Sequence, residues 1–283
     1  MFSLLFILCG VYFGMLILLF LMQSRLVYFP SREIVCTPAD IRLQYDDITM
    51  KTSDGLNLNA WFVPAKVPTG TVLFCHGNGG NISYSLDVVE NLNKLNLNVL
   101  IFDYRGYGKS EGVSTENGTY TDAETAYRWL IKDKNIPENE IIVMGRSLGA
   151  AIAANLAKKN NPGLLILESA FSSTPDVAAR QYPIFPVKLL CHYKYRTAEY
   201  VKDIKCPVLV VHSPEDEIIP YSNGKKIFSS AREPKEFLDI SGSHNEGYSD
   251  SGDTYVNGLR GFIEKHANSA ELPKAGFDSS PKE

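Results

Sequence analysis

One serine in this 283-residue chain stands where a nucleophile could be activated. Ser147 lies in the stretch VMGRSLGAA, between an apolar run (EIIVMG) and a helix-like run (LGAAIAANLAKK). About 0.1 chance matches to G-x-S-x-G are expected in a chain of this length, so the motif alone could still be a chance match. Its position between a strand-like run and a helix-like run is the stronger evidence. A sharp strand-to-helix turn strains the backbone at the serine and leaves no room for larger side chains two positions away. The helix start at Leu148 also points N–H groups toward an anion near Ser147. The motif therefore predicts a nucleophile.

The candidate general base is His244. It lies in the Gly/Ser loop SGSHNEG, directly after the apolar run KEFLDI and near the end of the folded region. His76 is the nearest competitor, but it begins the glycine-rich turn HGNGG, where a histidine would hold the loop in shape. A histidine can take the serine proton and later return it to the leaving group, so the sequence favours His244 as the base.

The acidic partner of the histidine is less clearly marked. The turn HSPEDEIIP follows the apolar run PVLVVHS and favours Asp216 as the residue that orients His244. An acidic, solvated turn without a catalytic role is the simpler alternative. The competing acids are Glu215, Glu217, Glu168 and Asp103.

Two backbone N–H groups are needed to hold the negative charge that develops on the attacked carbonyl oxygen. Leu148, directly after the nucleophile, would supply one donor. The loop HGNGG after the run TVLFC would supply the other, through Asn78. A glycine-rich turn can also cradle phosphate, but the spacing fits neither G-x-G-x-x-G nor a P-loop.

The elements that must position these residues alternate between strands and helices. Residues 46–65 read as a β-hairpin with Asp54-Gly55 at its turn. Continuous Val/Ile/Leu-rich runs then alternate with amphipathic stretches, which predicts a doubly wound, mostly parallel sheet with helices on both faces. Ligands of such sheets bind outside the carboxyl ends of the strands, where all the candidate residues lie. The predicted strands span residues 71–75, 98–104, 140–145, 164–170, 207–213 and 235–240. The run TDAETAYRWLIKD (121–133), after the second of them, predicts a helix.

The N-terminus predicts a membrane anchor. Residues 2–22 carry no charged side chain, and a helix of that length would be about 31 Å long, which matches a bilayer core. A cleaved signal peptide is the alternative, but no basic residue precedes the run and no A-x-A-like site follows it. Arg25 and Arg32 on its C-terminal side favour a single-pass protein with a cytoplasmic catalytic domain. We expect a connector at 23–45, the folded domain at 46–268 and a disordered tail at 269–283.

Composition excludes some functions. The formal charge of −4 argues against a nucleic-acid partner, which usually requires a basic face. Five cysteines without a C-x-x-C pair indicate neither a disulfide framework nor a zinc site. The predicted chemistry requires no metal or organic cofactor.

Together these segments resemble the α/β-hydrolase superfamily, and especially a membrane-anchored subgroup of serine hydrolases. The resemblance runs from about Gln23 to His266 and includes LVYFPS, HGN, FDYRGYGKSEG, GRSLG, ILESAF, HSPEDEIIP and GSHN. It implies an eight-stranded sheet, a triad of Ser147, Asp216 and His244, and an oxyanion hole from Leu148 and Asn78. It also implies a short lid at about 172–205, whose apolar run YPIFPVKLL could pack against an acyl chain or simply against other helices.

We therefore expect a membrane-anchored serine hydrolase that cleaves an acyl ester or thioester through an acyl-enzyme. Its substrate would be a small molecule, a lipid or an acylated protein, since some members of the family remove acyl groups from proteins or hydrolyse lipids. A peptidase with the same triad is one alternative, because other members are classed as peptidases. A catalytically silent scaffold that binds lipid or protein is the other.

Overall fold

Eight strands form one sheet at the centre of the computed structural model, which describes residues 2–267. The predicted disordered tail at 269–283 lies outside the described residues. The strands are β1 (Asp46–Lys51), β2 (Asn57–Val63), β3 (Gly70–Cys75), β4 (Leu97–Phe102), β5 (Ile141–Arg146), β6 (Leu164–Glu168), β7 (Val208–His212) and β8 (Lys235–Asp239).

The sheet is mostly parallel. The strand order is β8-β7-β6-β5-β3-β4-β2-β1, in which β2 pairs antiparallel with both β1 and β4 and all other pairs are parallel. β1 and β2 form the predicted hairpin, and Gly55 at its turn has a φ of +94°, which glycine adopts without strain. The eight-stranded, mostly parallel sheet predicted from the sequence is confirmed.

The parallel strands are covered on both faces. Along β3, Leu73 and Cys75 belong to one hydrophobic cluster, while Val72 and Phe74 belong to the cluster on the other face. Successive strand side chains point to opposite faces, so a strand buried on both sides must be apolar at every position. This explains the continuous Val/Ile/Leu runs of the sequence.

Helices connect the strands and cover the sheet. The helix α4 begins at Glu116, five residues before the expected start at Thr121, because the Thr115 side chain accepts a hydrogen bond from the Gly118 amide and caps the helix. The helices are α1 (Phe2–Leu21), α2 (Gln23–Val27), α3 (Leu86–Lys94), α4 (Glu116–Lys132), α5 (Leu148–Lys159), α6 (Thr174–Gln181), α7 (Val187–Leu190), α8 (Thr197–Tyr200), α9 (Tyr221–Ser230), α10 (Gly247–Asp250) and α11 (Asp253–Ala267).

The N-terminal helix α1 is a candidate membrane span. Its 19 residues from Ser3 to Leu21 are long and apolar enough to cross a bilayer. Most of its side chains are exposed, but Tyr12, Leu16 and Leu19 are half-buried. Their spacing of four and three residues places them on one face of the helix, so α1 contacts the rest of the protein through a single stripe.

The expected lid segment lies between β6 and β7 and contains α6, α7 and α8. Short helices interrupted by turns replace the long helix that other crossovers of this sheet contain. The Asp176 carboxylate of α6 bonds to Lys226 of α9 at 2.8 Å and to the Ser172 hydroxyl at 2.9 Å, which fastens the start of the lid to the core.

Candidate active site

Ser147 lies on a strained turn between β5 and α5. Its φ of 55° and ψ of −115° are unusual for a residue with a side chain. The turn is possible because of its two glycines: a Cβ at Gly145 would lie 2.2 Å from the Gly149 carbonyl oxygen, and one at Gly149 would lie 2.0 Å from the Cys75 carbonyl oxygen. The chain therefore bends here tightly enough to present the Ser147 hydroxyl beyond the end of β5.

The serine, the histidine and the favoured acid lie in one line of hydrogen bonds. His244 Nε2 is 3.1 Å from Ser147 Oγ, and His244 Nδ1 is 2.8 Å from Asp216 Oδ2. Asp216 follows β7 and His244 follows β8, so three strand ends bring together residues that are far apart in the chain. This geometry allows the imidazole to accept the serine proton while the carboxylate holds the Nδ1–H tautomer.

Asp216 is kept ionised by the groups around it. Its Oδ1 accepts hydrogen bonds from the amides of Ile218 at 3.0 Å and Ile219 at 2.7 Å, while Oδ2 faces His244. Burial disfavours its charge, but the hydrogen bonds from His244 and Ile219 outweigh burial and lower the pKa of the carboxyl below its ordinary value. His212 Nε2 lies 3.5 Å from the same carboxylate.

The four competing acids hold other parts of the structure. Glu215 accepts from the Gly242 amide and Glu217 from the His244 amide, at 2.9 and 3.1 Å, so both fix the backbone of the histidine loop. Glu168 pairs with Arg146, and Asp103 accepts from the Ile82 amide at 2.9 Å. Among the five candidates, the His244 ring therefore bonds to Asp216.

The two predicted oxyanion donors line the same cavity as Ser147. Leu148 is the first residue of α5, where helix geometry provides no acceptor for the amide. The Asn78 carbonyl accepts from the Phe29 amide and the Tyr107 hydroxyl, and the Asn78 side-chain amide donates to the Val27 carbonyl at 3.1 Å. These bonds do not use the Asn78 backbone N–H, and both residues line the same cavity as Ser147.

His76 is a buried, neutral histidine of the loop that contains Asn78. Its Nδ1 lies 2.8 Å from the Gly77 carbonyl oxygen, which matches the expected role of holding the loop in shape. Burial lowers the pKa of His76 to about 4, so the ring is uncharged at neutral pH.

One polar cluster next to the nucleophile was not identified from the sequence. The Arg146 guanidinium forms an ion pair with Glu168 at 2.6 Å and lies 4.2 Å from the ring centre of Tyr248. The Tyr255 hydroxyl donates to the same Glu168 carboxylate at 2.7 Å. The signal was present, because both Arg146 and Glu168 directly follow strand interiors, where buried charges need partners.

A cavity of about 790 Å³ opens at Ser147 and His244, a size in the usual range of about 300–1,000 Å³ for small-molecule sites. The strand-end loops, α3 and the start of α5 line one part of it. The lid, α2 and the end of α1 line the rest, which the sequence did not predict. Within residues 2–267, no group of three or more His, Cys, Asp or Glu side chains could hold a metal ion.

Comparisons with known proteins agree with this architecture. A family model described as serine aminopeptidase, S33, matches residues 66–197. The alpha/beta hydrolase domain-containing protein WAV2 of Arabidopsis thaliana is 35% identical over 278 residues, which cover 88% of this chain and 90% of that protein. The uncharacterized protein Rv2307c of Mycobacterium tuberculosis is 34% identical over 257 residues, which cover 90% of this chain and 92% of that protein.

Among solved structures, an esterase from Pyrococcus furiosus superposes with a TM-score of 0.72. The match covers 85% of this chain and 97% of that chain at 19% identity, and it supports the fold alone. The identity to WAV2 extends over nearly the whole of both chains and is high enough to show common ancestry. The chain is therefore a hydrolase that belongs to the α/β-hydrolase superfamily.

Proposed function

We propose that this protein is a membrane-anchored serine hydrolase that cleaves an acyl ester or thioester through an acyl-enzyme intermediate. The observation that supports it most directly is the line of hydrogen bonds from Ser147 Oγ through His244 to Asp216 at the opening of a largely apolar cavity. A serine, a histidine and an aspartate joined by hydrogen bonds in this way activate the serine hydroxyl, and an apolar cavity of this size suits an acyl group.

The reaction proceeds in two steps. As Ser147 Oγ attacks the acyl carbon, His244 Nε2 takes its proton, and the Leu148 and Asn78 amides bind the tetrahedral oxyanion. His244 then donates that proton to the leaving alcohol or thiol, and the acyl group remains on Ser147. Water, deprotonated by His244, attacks the acyl-enzyme. The bond to Ser147 Oγ then breaks, His244 returns the proton to that oxygen, and the carboxylic acid is released.

Three features support membrane anchoring by α1. The helix is long enough to span the bilayer, most of its side chains are exposed, and Arg25 lies four residues after its last residue, Leu21. Arg25 and Arg32 on the same side of the span favour a cytoplasmic location of the catalytic domain.

The first test is the replacement of the nucleophile. We expect Ser147→Ala to abolish labelling by a fluorophosphonate probe and to reduce p-nitrophenyl butyrate hydrolysis to background, because no other hydroxyl contacts His244 Nε2 in residues 2–267. Circular dichroism should show that the variant folds. Ser229→Ala serves as the control, since this exposed serine of α9 bonds to the Lys226 carbonyl and lines no part of the cavity. Labelling retained in Ser147→Ala would remove this serine from the mechanism.

The family model's description favours peptidase activity as a second candidate. The same triad cleaves amides, so the two candidates differ in the leaving group and not in the nucleophile. We expect kcat/KM for an acyl p-nitrophenyl ester to exceed kcat/KM for aminoacyl p-nitroanilides. The ratio should be far larger than the ratio of the rates at which the two compounds hydrolyse without enzyme. Release of amino acids from short peptides without an advantage for esters would favour the peptidase. Binding of acyl chains without any turnover would indicate a silent scaffold.

A further inference from the structure

The anchor helix α1 contacts the lid along its second half. Its half-buried stripe faces the segment between α6 and the end of α7. The Tyr12 hydroxyl donates to the Ile184 carbonyl at 3.1 Å, and the Tyr12 ring stacks on Phe185 with 5.6 Å between ring centres. Phe20 packs against His192 at 4.8 Å. A helix that served only as a tether would not need this set of contacts.

The contacts reach deep into the expected bilayer. Tyr12 lies nine residues before Leu21, or about 14 Å along the helix axis, roughly half the thickness of a bilayer core. The lid segment that contacts α1 carries two exposed apolar side chains: Ile184 is 71% exposed and Leu189 is 82% exposed. Side chains of this kind, next to a membrane span, are suited to contact with lipid. With α1 across the bilayer, the lid residues that contact Tyr12 lie at membrane depth.

The cavity of Ser147 continues to this same place. Its lining includes Leu16, Leu19 and Phe20 of α1, together with Phe185 and Leu190 of the lid. The opposite part of the lining contains charged side chains from the strand-end loops and α3, namely Asp87, Arg146 and Glu246. The cavity thus has an apolar part toward the membrane and a polar part toward the catalytic domain.

We propose that α1 is a wall of the acyl-binding site, and that the acyl chain of a lipid ester resident in the bilayer enters the cavity between α1 and the lid. This inference rests on the proposed function and adds its substrate class and the route of entry. The acyl chain lies between the lid and two residues of the half-buried stripe, Leu16 and Leu19. The polar part of the substrate lies near Arg146. Chain-length preference is then set by residues of the membrane anchor.

Two adjacent leucines provide a matched test in the full-length protein. Leu19 lines the cavity, whereas Leu18 is 56% exposed and points to another side of the helix. We expect Leu19→Trp to fill the acyl site and to lower kcat/KM for p-nitrophenyl palmitate at least about tenfold. Its kcat/KM for p-nitrophenyl butyrate should stay within about twofold, because a short chain does not reach α1. Leu18→Trp should change neither value.

A second measurement locates the chain directly and does not depend on a variant. A hexadecyl fluorophosphonate with a diazirine at the end of its chain is attached to Ser147 of the wild-type protein in phosphatidylcholine vesicles. The serine oxygen bonds to phosphorus and fluoride leaves. After irradiation, peptide mapping should find adducts in residues 12–26 of the anchor and in residues 177–190 of the lid.

The outcomes separate the two proposals. If Ser147 does not react with the probe and wild-type protein hydrolyses neither ester, the proposed function fails, and the acyl site fails with it. If Ser147 reacts but the adducts avoid α1, or if Leu18→Trp and Leu19→Trp change the palmitate-to-butyrate ratio equally, only the role of α1 is refuted. Equal use of palmitoyl esters in vesicles and of a palmitoylated peptide in solution would refute entry from the bilayer.

Discussion

At the scale of single residues, the site depends on a backbone that only glycines permit around Ser147. The hydroxyl points beyond the sheet because Gly145 and Gly149 let β5 and α5 approach each other and the neighbouring strand. The same sharp turn brings the start of α5, with its free amide at Leu148, next to the nucleophile. The proposed nucleophile and the proposed oxyanion donor thus both result from one local conformation.

In the proposed mechanism, Asp216 determines which nitrogen of His244 carries the proton. In Asp216→Asn, the amide oxygen can still accept from Ile218 and Ile219, which turns the amide NH2 group toward His244 Nδ1. That contact favours the tautomer with hydrogen on Nε2, which cannot accept the Ser147 proton. We expect kcat to fall by about 10⁴, the size of the effect that this tautomer has in serine proteases, with KM nearly unchanged. Steady-state ester hydrolysis measures both values.

The neighbouring acid gives a matched control for this prediction. Glu217→Gln changes the charge next to Asp216 but keeps an oxygen that can accept from the His244 amide. We expect its kcat to remain within about threefold of wild type, because a rim charge in water has little effect. Equal losses in the two variants would mean that the charge of the turn, and not the Asp216–His244 bond, is what matters.

The sequence predicted these residues because each follows a strand of the sheet. These residues are expected to lie close together because parallel strands end at the same edge of the sheet, so residues after β5, β7 and β8 must meet there. Position alone did not separate Asp216 from Glu215 and Glu217, since all three belong to one turn. Their different contacts depend on turn geometry at the level of single hydrogen bonds, which has no periodic signal in the sequence.

At the scale of elements, the loop that carries Asn78 is held from two directions. The connector pairs with it through two-residue parallel strands, Phe29–Pro30 and Gly79–Gly80. From the other side, the Tyr107 hydroxyl donates to the Asn78 carbonyl at 2.8 Å. The LVYFPS and RGYG segments of the sequence therefore hold Asn78, the proposed second oxyanion donor, in position.

Removal of one of these supports should affect catalysis more than binding. Tyr107→Phe loses the hydrogen bond to Asn78, so the Asn78 amide is less well fixed at the place where the oxyanion forms. We expect about a tenfold fall in kcat, little change in KM, and a stability loss of about 1 kcal/mol. Tyr127→Phe is the control, because this core tyrosine makes only a 3.5 Å contact with Glu138. A similar kcat in both variants would contradict the positioning role.

The strands were predicted from the sequence more accurately than the helix ends and the connectors were. The ends of all six predicted strands agree with those of the observed strands to within two residues, because burial on both faces requires continuous apolar runs. The start of α4 was predicted too late because the polar first turn at Glu116 carries no apolar period. The pairing of Phe29 with Gly79 was not predictable, since two residues form no pattern.

At the scale of the whole molecule, the anchor, the lid and the catalytic domain meet at one cavity. The sequence indicates a membrane helix and a short lid, but it contains no signal that the two are in contact. Hydropathy indicates that α1 can contact lipid, but it does not indicate which face of α1 contacts the rest of the protein. The half-buried stripe at Tyr12, Leu16 and Leu19 is visible only when the lid is in place.

The coupling between the anchor and the lid includes one side chain, Gln23, whose two hydrogen bonds can be tested. The Gln23 side chain donates to the Leu190 carbonyl at 2.9 Å and accepts from the His192 amide at 2.6 Å, so it clamps the end of α7 to the start of α2. In Gln23→Ala both bonds are lost, and we expect amides of residues 187–192 to exchange with deuterium about tenfold faster while the sheet exchanges as before. Gln44→Ala, at an exposed glutamine of the connector, should leave exchange unchanged throughout. Unaltered exchange of the lid in Gln23→Ala would mean that the contacts of Tyr12 and Phe20 are enough to hold the lid to the anchor.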